Sequence, residues 1–214
     1  MPASGQETEA KFYIQDIDGT KVRLRQLEAR LIHERVLETN IRFDLPNGLL
    51  RSEGRVLRLR QDSEARLTYK SASNNDQGVL SRTEIEFTVD NFEKAKQFLE
   101  ALGYESIFIY EKYRTTYSIN PSEVLEPAEG SLHIMFDELP YGNFVEIEGE
   151  SVEVIRKISD ALGLSWNTAI AKSYHALFNH LQAEMKLSFR NLLFENFKAI
   201  RITPAQLGIR PADE

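Results

Sequence analysis

The 214-residue chain contains no cysteine. That excludes disulfides and thiolate metal sites, and makes a reducing, cytoplasmic setting the simplest expectation. No apolar run approaches the roughly 18 residues of a membrane helix, so no membrane partner is expected. Residues Met1 to Gln6 lack the basic and apolar segments of a secretory leader. Neither an H-E-x-x-H pattern nor a Walker A phosphate loop occurs. Histidines number four, and His175 and His180 stand five apart, a spacing that misses one helix face; packing is the expected role for them. There is no internal repeat, low-complexity tract or obvious linker. A formal net charge of -7 argues against a nucleic-acid partner, though not against a local basic site.

What is present is an ordinary globular composition, 42% hydrophobic and 28% charged, with length enough for a sizeable core. Asp16 to Thr20 reads as a turn, followed by helical spacing from Val22 to about His33. Arg35 to Leu45 reads extended and closes on the turn signal Pro46-Asn47-Gly48. Short strands are expected over 56–61 and 67–71, a polar loop over 73–78 and an alternating strand over 83–89. Asp90 or Asn91 caps a helix to Leu102, with Phe92, Ala95, Phe98, Leu99 and Leu102 on one apolar stripe. A long strand over 106–119 and a hairpin around Pro140-Tyr141-Gly142 follow. The chain then turns helical over 152–162, about 166–187 and 189–200, with Trp166, Tyr174 and Phe178 expected to pack between helices.

The strands carry an unusual pattern. Side chains alternate across a strand, so same-face residues are two apart. Glu7, Glu9 and Lys11 share a face. So do Arg58 and Arg60, opposite Leu57 and Leu59; Lys70 lies beside Thr68; Arg82, Glu84 and Glu86 stand opposite Ile85 and Phe87. Lys112 and Arg114 form another pair, and Glu146 and Glu148 stand opposite Val145 and Ile147. Like charges in a row are unfavourable without opposite charges or a ligand across from them. Either this face is simply wet, or the sheet closes with its charges inside and helices covering its apolar outside. A ring of about eight strands encloses room for side chains or one small ligand. Clustered cations suit phosphate oxygens and clustered carboxylates suit a hard divalent ion. A triphosphate with Mg2+ or Mn2+ fits such a lumen. Lys11, Arg58, Arg60, Lys70, Arg82, Lys112 and Arg114 would face the phosphates, and Glu7, Glu9, Glu84, Glu86, Asp137, Glu146 and Glu148 would hold metal or fix the cations.

The ordered set Glu7-x-Glu9-x-Lys11, Arg58-x-Arg60, Lys70, Arg82-x-Glu84-x-Glu86, Lys112-x-Arg114, Asp137, Glu146-x-Glu148 and Lys172-Ser173-Tyr174 resembles the CYTH superfamily, the triphosphate tunnel metalloenzymes. It is nearest the class IV adenylate cyclase and thiamine triphosphatase branches. The resemblance spans about Gln6 to Leu177. It implies an α+β fold: a closed eight-stranded antiparallel barrel with helices packed outside. It implies a tunnel domain over 1–177 and leaves 178–214 as a C-terminal helical extension. It implies that Glu7, Glu9, Asp137, Glu146 and Glu148 lie in the metal region, and that Lys11, Arg58, Arg60, Lys70, Arg114 and Lys172 grip phosphates. Arg42 departs from the pattern, since relatives often carry an aromatic before the Phe43-Asp44 pair.

Glu9, Glu148 and Lys70 are the expected catalytic residues, Lys70 orienting or deprotonating the attacking group. Hydrolysis and cyclisation to cyclic AMP both fit one such site; hydrolysis is preferred because it needs only a water, and no base pocket is visible in the sequence. A non-catalytic polyphosphate- or nucleotide-binding module is the reading from another class. The apolar segment 189–197 should bury itself against the barrel or in a homodimer.

Overall fold

Strand alternation, rather than helix packing, sets this architecture. The computed structural model describes residues 6–76, 79–119 and 132–214, with the side chains of Gln6, Glu7 and Asp76 outside that description. Nine strands follow in chain order: β1 (Gln6–Ile14), β2 (Arg30–Asp44), β3 (Val56–Gln61), β4 (Ala65–Lys70), β5 (Asn74–Asp76), β6 (Val79–Val89), β7 (Glu105–Ile119), β8 (Leu132–Leu139) and β9 (Gly142–Glu148). They pair antiparallel in the order β1-β9-β8-β7-β2-β3-β4-β6, and β6 pairs back on β1. Eight strands thus close a ring, as the alternation and the family resemblance predict, and β5 is a three-residue strand alongside β6. Closure removes the open edges that antiparallel sheets must otherwise protect.

The hydrophobic core lies outside the ring. Helix α1 (Ile17–Gln26) and α4 (Val152–Ala161) cover one flank, where Ile155 and Ile158 pack with Phe12, Ile134, Val145 and Ile147. Helix α5 (Tyr174–Met185) covers another, with Leu177, Phe178 and Leu181 against Phe108, Tyr141 and Phe144. Helix α3 (Phe92–Ala101) lies over β3, and α2 (Leu49–Ser52) is one short turn. Side-chain oxygens cap the helices: Asp16, Asn91, Ser151 and Ser173 accept from Gly19, Lys94, Val154 and Ala176 N–H at 2.9, 2.9, 3.3 and 3.2 Å. Each such cap contributes about 1 kcal/mol. In the β8–β9 hairpin Gly142 sits at φ 141°, and a Cβ there would meet the Tyr13 ring at 2.5 Å.

Several local expectations are corrected. Asp16 to Thr20 is not a free turn but the start of α1, which ends at Gln26 because Glu28 takes a left-handed conformation (φ 54°). Leu31 continues the helical spacing yet lies in β2. The polar loop at 73–78 contains β5. The expected helix at 166–187 divides into a 3-10 turn (Trp166–Thr168) and α5. The expected helix at 189–200 is extended, with one 3-10 turn at Phe194–Phe197. Leu192 donates to Ile109 O at 2.9 Å and accepts from Glu111 N at 2.9 Å, along the stretch of β7 that β8 does not reach. Pairing with that open edge satisfies backbone groups that a helix would leave exposed on β7.

The segment's apolar side chains are spent on this chain: Leu192 and Phe197 are buried beside Phe178. The tail beyond is fastened too, with Ala212 N–H donating to Tyr13 O at 2.9 Å and Asp213 accepting from Gln15 and Asp16 N–H at 2.9 and 2.7 Å. The apolar stripe of α3 is only partly used. Leu99 is buried, while Phe98 and Leu102 are 63% and 58% exposed. Ile85 and Phe87, expected beneath a helix, are likewise exposed. No described helix is long and apolar enough to cross a membrane.

Candidate functional site

Ring closure turns the parity of each strand into an address. The residues of β3, β4, β6 and β9 that carry lumen charges are even-numbered and those of β1 are odd-numbered, which explains why the paired charges of the sequence meet there. The cavity measures about 340 Å3. Eight Lys and Arg side chains line it (Lys11, Arg42, Arg58, Arg60, Lys70, Arg82, Lys112, Arg114) against five carboxylates (Glu9, Glu84, Glu86, Glu146, Glu148). A second cavity of about 480 Å3 shares Arg60, Glu86, Arg114, Met135 and Glu148 with the first and ends among His33, Asp62, Arg66 and His133. The lumen is therefore charged along its length, with an excess of cations suited to a polyanion.

Most lumen cations are held by carboxylates. Asp137, fully buried, accepts from Lys112 at 2.8 Å, from Arg114 at 2.6 and 2.5 Å, and from the Tyr174 hydroxyl at 2.8 Å. Arg114 also pairs with Glu146, which sits 3.3 Å from Lys11 Nζ. Burial opposes the charge on Glu146, but Lys11, Arg114, Lys112 and Lys70 hold it well below the usual carboxylate range. Burial also works against charge on Arg114, and Asp137, Glu146 and Glu38 outweigh it, holding the guanidinium firmly protonated. Arg60 is paired with Glu86 at 3.0 Å, Arg58 with Glu86 at 3.5 Å, Lys70 with Glu84 at 3.0 Å and Arg82 with Glu9 at 3.4 Å. Thr68 donates to Glu86 at 2.7 Å and so fixes the carboxylate that serves both arginines.

Of the residues expected from the sequence, Glu9, Lys11, Arg58, Arg60, Lys70, Arg82, Lys112, Arg114, Glu146 and Glu148 all line the cavity. Asp137 lies behind that wall, with both oxygens engaged by Lys112, Arg114 and Tyr174. Lys172 is exposed and borders a separate outer cavity with Arg210; its carbonyl, not its ammonium, faces the lumen and accepts from Lys11 Nζ at 3.4 Å. Glu7 is opposite Arg82 in the β1–β6 register, and its side chain lies outside the described residues.

Four participants have no site role in the sequence reading: Glu38, Arg42, Tyr174 and His175. Glu38 lies 3.5 Å from Lys112 and 3.7 Å from Arg60. Burial pushes its carboxyl up, and Lys112, Arg114, Arg60 and Arg58 together bring it down to about 2. The signal for it is the same-face polar run Glu38, Asn40, Arg42, Asp44 between Ile41 and Phe43. Tyr174 packs against Phe144 as expected, and in addition carries Lys11 Nζ 4.3 Å over its ring and braces Asp137. His175 stacks on Phe108 at 4.1 Å, and burial with Arg42 and Arg51 lowers its pKa to about 4, so it is neutral at pH 7. Arg42 occupies the same end of the cavity. Trp166 does pack as expected, near Phe12 at 6.2 Å.

The carboxylates also bear on a divalent ion. Glu9 and Glu148 are direct partners across the β1–β9 ladder, an arrangement that is unfavourable for like charges unless a cation serves both. Among the described residues no three or more His, Asp or Glu side chains converge into a metal cage of their own. Carboxylate oxygens are the donors that a hard divalent ion takes, so Glu9, Glu146 and Glu148 fit such an ion by chemistry.

Solved structures share this ring. A proposed adenylate cyclase from Vibrio parahaemolyticus is 20% identical with a TM-score of 0.66, covering 80% of this chain and 97% of that one. PH1012 from Pyrococcus horikoshii is 21% identical with a TM-score of 0.64, covering 78% and 96%. A proposed adenylyl cyclase from Hippeastrum, described as revealing a dominant triphosphatase activity, is 18% identical with a TM-score of 0.57, covering 81% and 95%. At these identities the likeness is one of fold. No curated protein matches the chain. The sequence model of the CYTH domain matches residues 5–174, and with the closed ring and its charged lumen this places the chain in the CYTH domain family.

Proposed function

We propose that the protein is a divalent-metal-dependent triphosphatase that hydrolyses a triphosphate drawn into the lumen. The observation that carries this reading is the lumen's make-up: eight cations, most of them fixed by carboxylates, beside the facing pair Glu9 and Glu148. Phosphoryl transfer asks mainly for positioning and charge neutralisation, which preorganised cations supply. Lys11, Arg58, Arg60, Lys70, Arg82, Lys112 and Arg114 bind and orient the phosphates. Glu9, Glu146 and Glu148, with Glu7 on the same strand parity, would hold Mg2+ or Mn2+. The ion, when bound, would neutralise phosphate charge and acidify a water.

Two roles are refined from the sequence reading. Asp137 acts through Lys112 and Arg114, fixing their direction, rather than as a metal ligand. Lys70 acts as a phosphate grip: Glu84, 3.0 Å away, holds its side chain in place on the lumen wall. Lys172 is left outside the phosphate set. A role in cyclisation would need a seat for a nucleoside; hydrolysis needs only a water.

The test incubates purified protein with inorganic triphosphate, ATP and thiamine triphosphate, each with Mg2+ or Mn2+, and measures phosphate, pyrophosphate and cyclic AMP. Phosphate release supports the triphosphatase. Cyclic AMP with pyrophosphate makes it a cyclase, and tight triphosphate binding without any product makes it a binding module.

A further inference from the structure

One end of the lumen is unlike the rest. Arg42 is there, across the β2–β3 ladder from Arg58. Among the described residues, Arg42 is the lumen cation with no carboxylate within ion-pair distance; its Nε, like those of Arg58 and Arg60, is buried without a hydrogen-bond partner. Burial, Arg58 and Arg82 press against its charge and outweigh the support of Tyr110 and Asp44, so its pKa is lowered. A cation kept in such surroundings is compensated when an anion joins it. The neighbouring aromatic surface is already used: Phe108 stacks on His175 at 4.1 Å, on Tyr110 at 5.5 Å and on Phe178 at 5.5 Å. Neutral His175 adds hydrogen-bonding nitrogens without adding charge.

We propose that Arg42 is a specificity-determining residue, and that the end of the lumen it shares with His175 seats a negatively charged terminal group. The substrate class follows: a linear inorganic polyphosphate of three or more phosphates, bearing phosphate at both ends, in preference to a nucleoside or thiamine ester. An uncharged nucleoside at this end would leave the guanidinium unpaired, and a thiamine thiazolium would add a cation beside Arg42, Arg58 and Arg82. This proposal deepens the triphosphatase reading and rests on it for turnover, though not for binding.

The experiment compares wild type, Arg42→Met and Arg42→Lys with inorganic triphosphate, inorganic tetraphosphate and ATP, in Mg2+ or Mn2+. Wild type should favour the inorganic chains in kcat/KM. Arg42→Met should lower kcat/KM for them by roughly 10–100-fold, the span of one charge-assisted hydrogen bond, and ATP by much less. Arg42→Lys should restore part of the difference. A thermal melt of Arg42→Met at or above wild type would show that the fold survives losing a repelled charge. Preference of the wild type for ATP, or an equal fall for all substrates, overturns the proposal. If wild type turns over none of them, the triphosphatase reading fails by itself, and calorimetric titration with inorganic triphosphate decides the seat. A tenfold or greater loss of affinity in Arg42→Met upholds it, and equal affinity overturns it.

Discussion

Two sets of carboxylates, one inside the wall of the lumen and one facing it, live differently. Asp137 and Glu38 are almost fully buried and surrounded by Lys112, Arg114 and Arg60. Glu9 and Glu148 lie across the ladder from one another, with Glu9 only 3.4 Å from Arg82 and Glu148 lining both cavities. The first set compensates charge inside the wall. The second places two like charges across one ladder and is the pair proposed to hold the metal. The contrast separates residues that build the site from residues that use it: loss of the first should be read in stability, loss of the second in chemistry.

The largest effect should come from Asp137→Ala. It takes from Lys112 its closest carboxylate and from Arg114 a bidentate one, and breaking one side of a buried charge cluster costs about 3–5 kcal/mol. Urea unfolding measures it; a loss under 1 kcal/mol would place Asp137 in the second set instead. Glu38 comes next, through pH. Its folded pKa of about 2 lies below the ordinary value of 4.5, so its stabilisation is complete above pH 4.5 and is lost as pH falls toward 2. That difference is worth about 3 kcal/mol as an upper order of magnitude. The urea midpoint of wild type should therefore fall more steeply between pH 5 and 2 than that of Glu38→Gln, and parallel curves would remove Glu38 from the argument.

Glu9→Gln and Glu148→Gln should do the opposite. Metal-dependent turnover should fall by roughly 100-fold or more, while the melting temperature stays close to wild type or rises as like-charge repulsion is relieved. Wild-type turnover in either variant would sink the metal assignment. The smallest effect belongs to Lys172→Ala. Its side chain faces the outer cavity, so kcat/KM should change less than about threefold, within the range of an ordinary surface substitution. A tenfold loss would bring Lys172 back into the phosphate set.

Much of this was legible in the chain because parity is local. Arg58-Leu59-Arg60 or Glu146-Ile147-Glu148 fixes which residues share a face without reference to any other strand. The hairpin at Pro140-Tyr141-Gly142 and the cap at Asn91 are equally local. Glu38 and Arg42 were harder to see, since single charges interspersed with Asn40 form no run of one sign. The segment 189–200 was read as helix because its apolar residues are dense; it is extended because β7 offers an open edge, a fact that belongs to strands far away in sequence.

The sequence by itself determined the alternation, the charged faces, the absence of thiol chemistry and the family pattern, since each depends on neighbours along the chain. The tertiary structure alone decided which charge meets which. Ring closure brings β6 to β1 and Arg82 to Glu9, and the β1–β9 register sets Glu9 opposite Glu148; the pairing of β2, β7 and β8 buries Glu38 and Asp137 among cations. The reason is physical: side-chain direction is fixed residue by residue, but the distance between two charges on different strands is fixed by register and closure, and electrostatic energy depends on that distance and on burial.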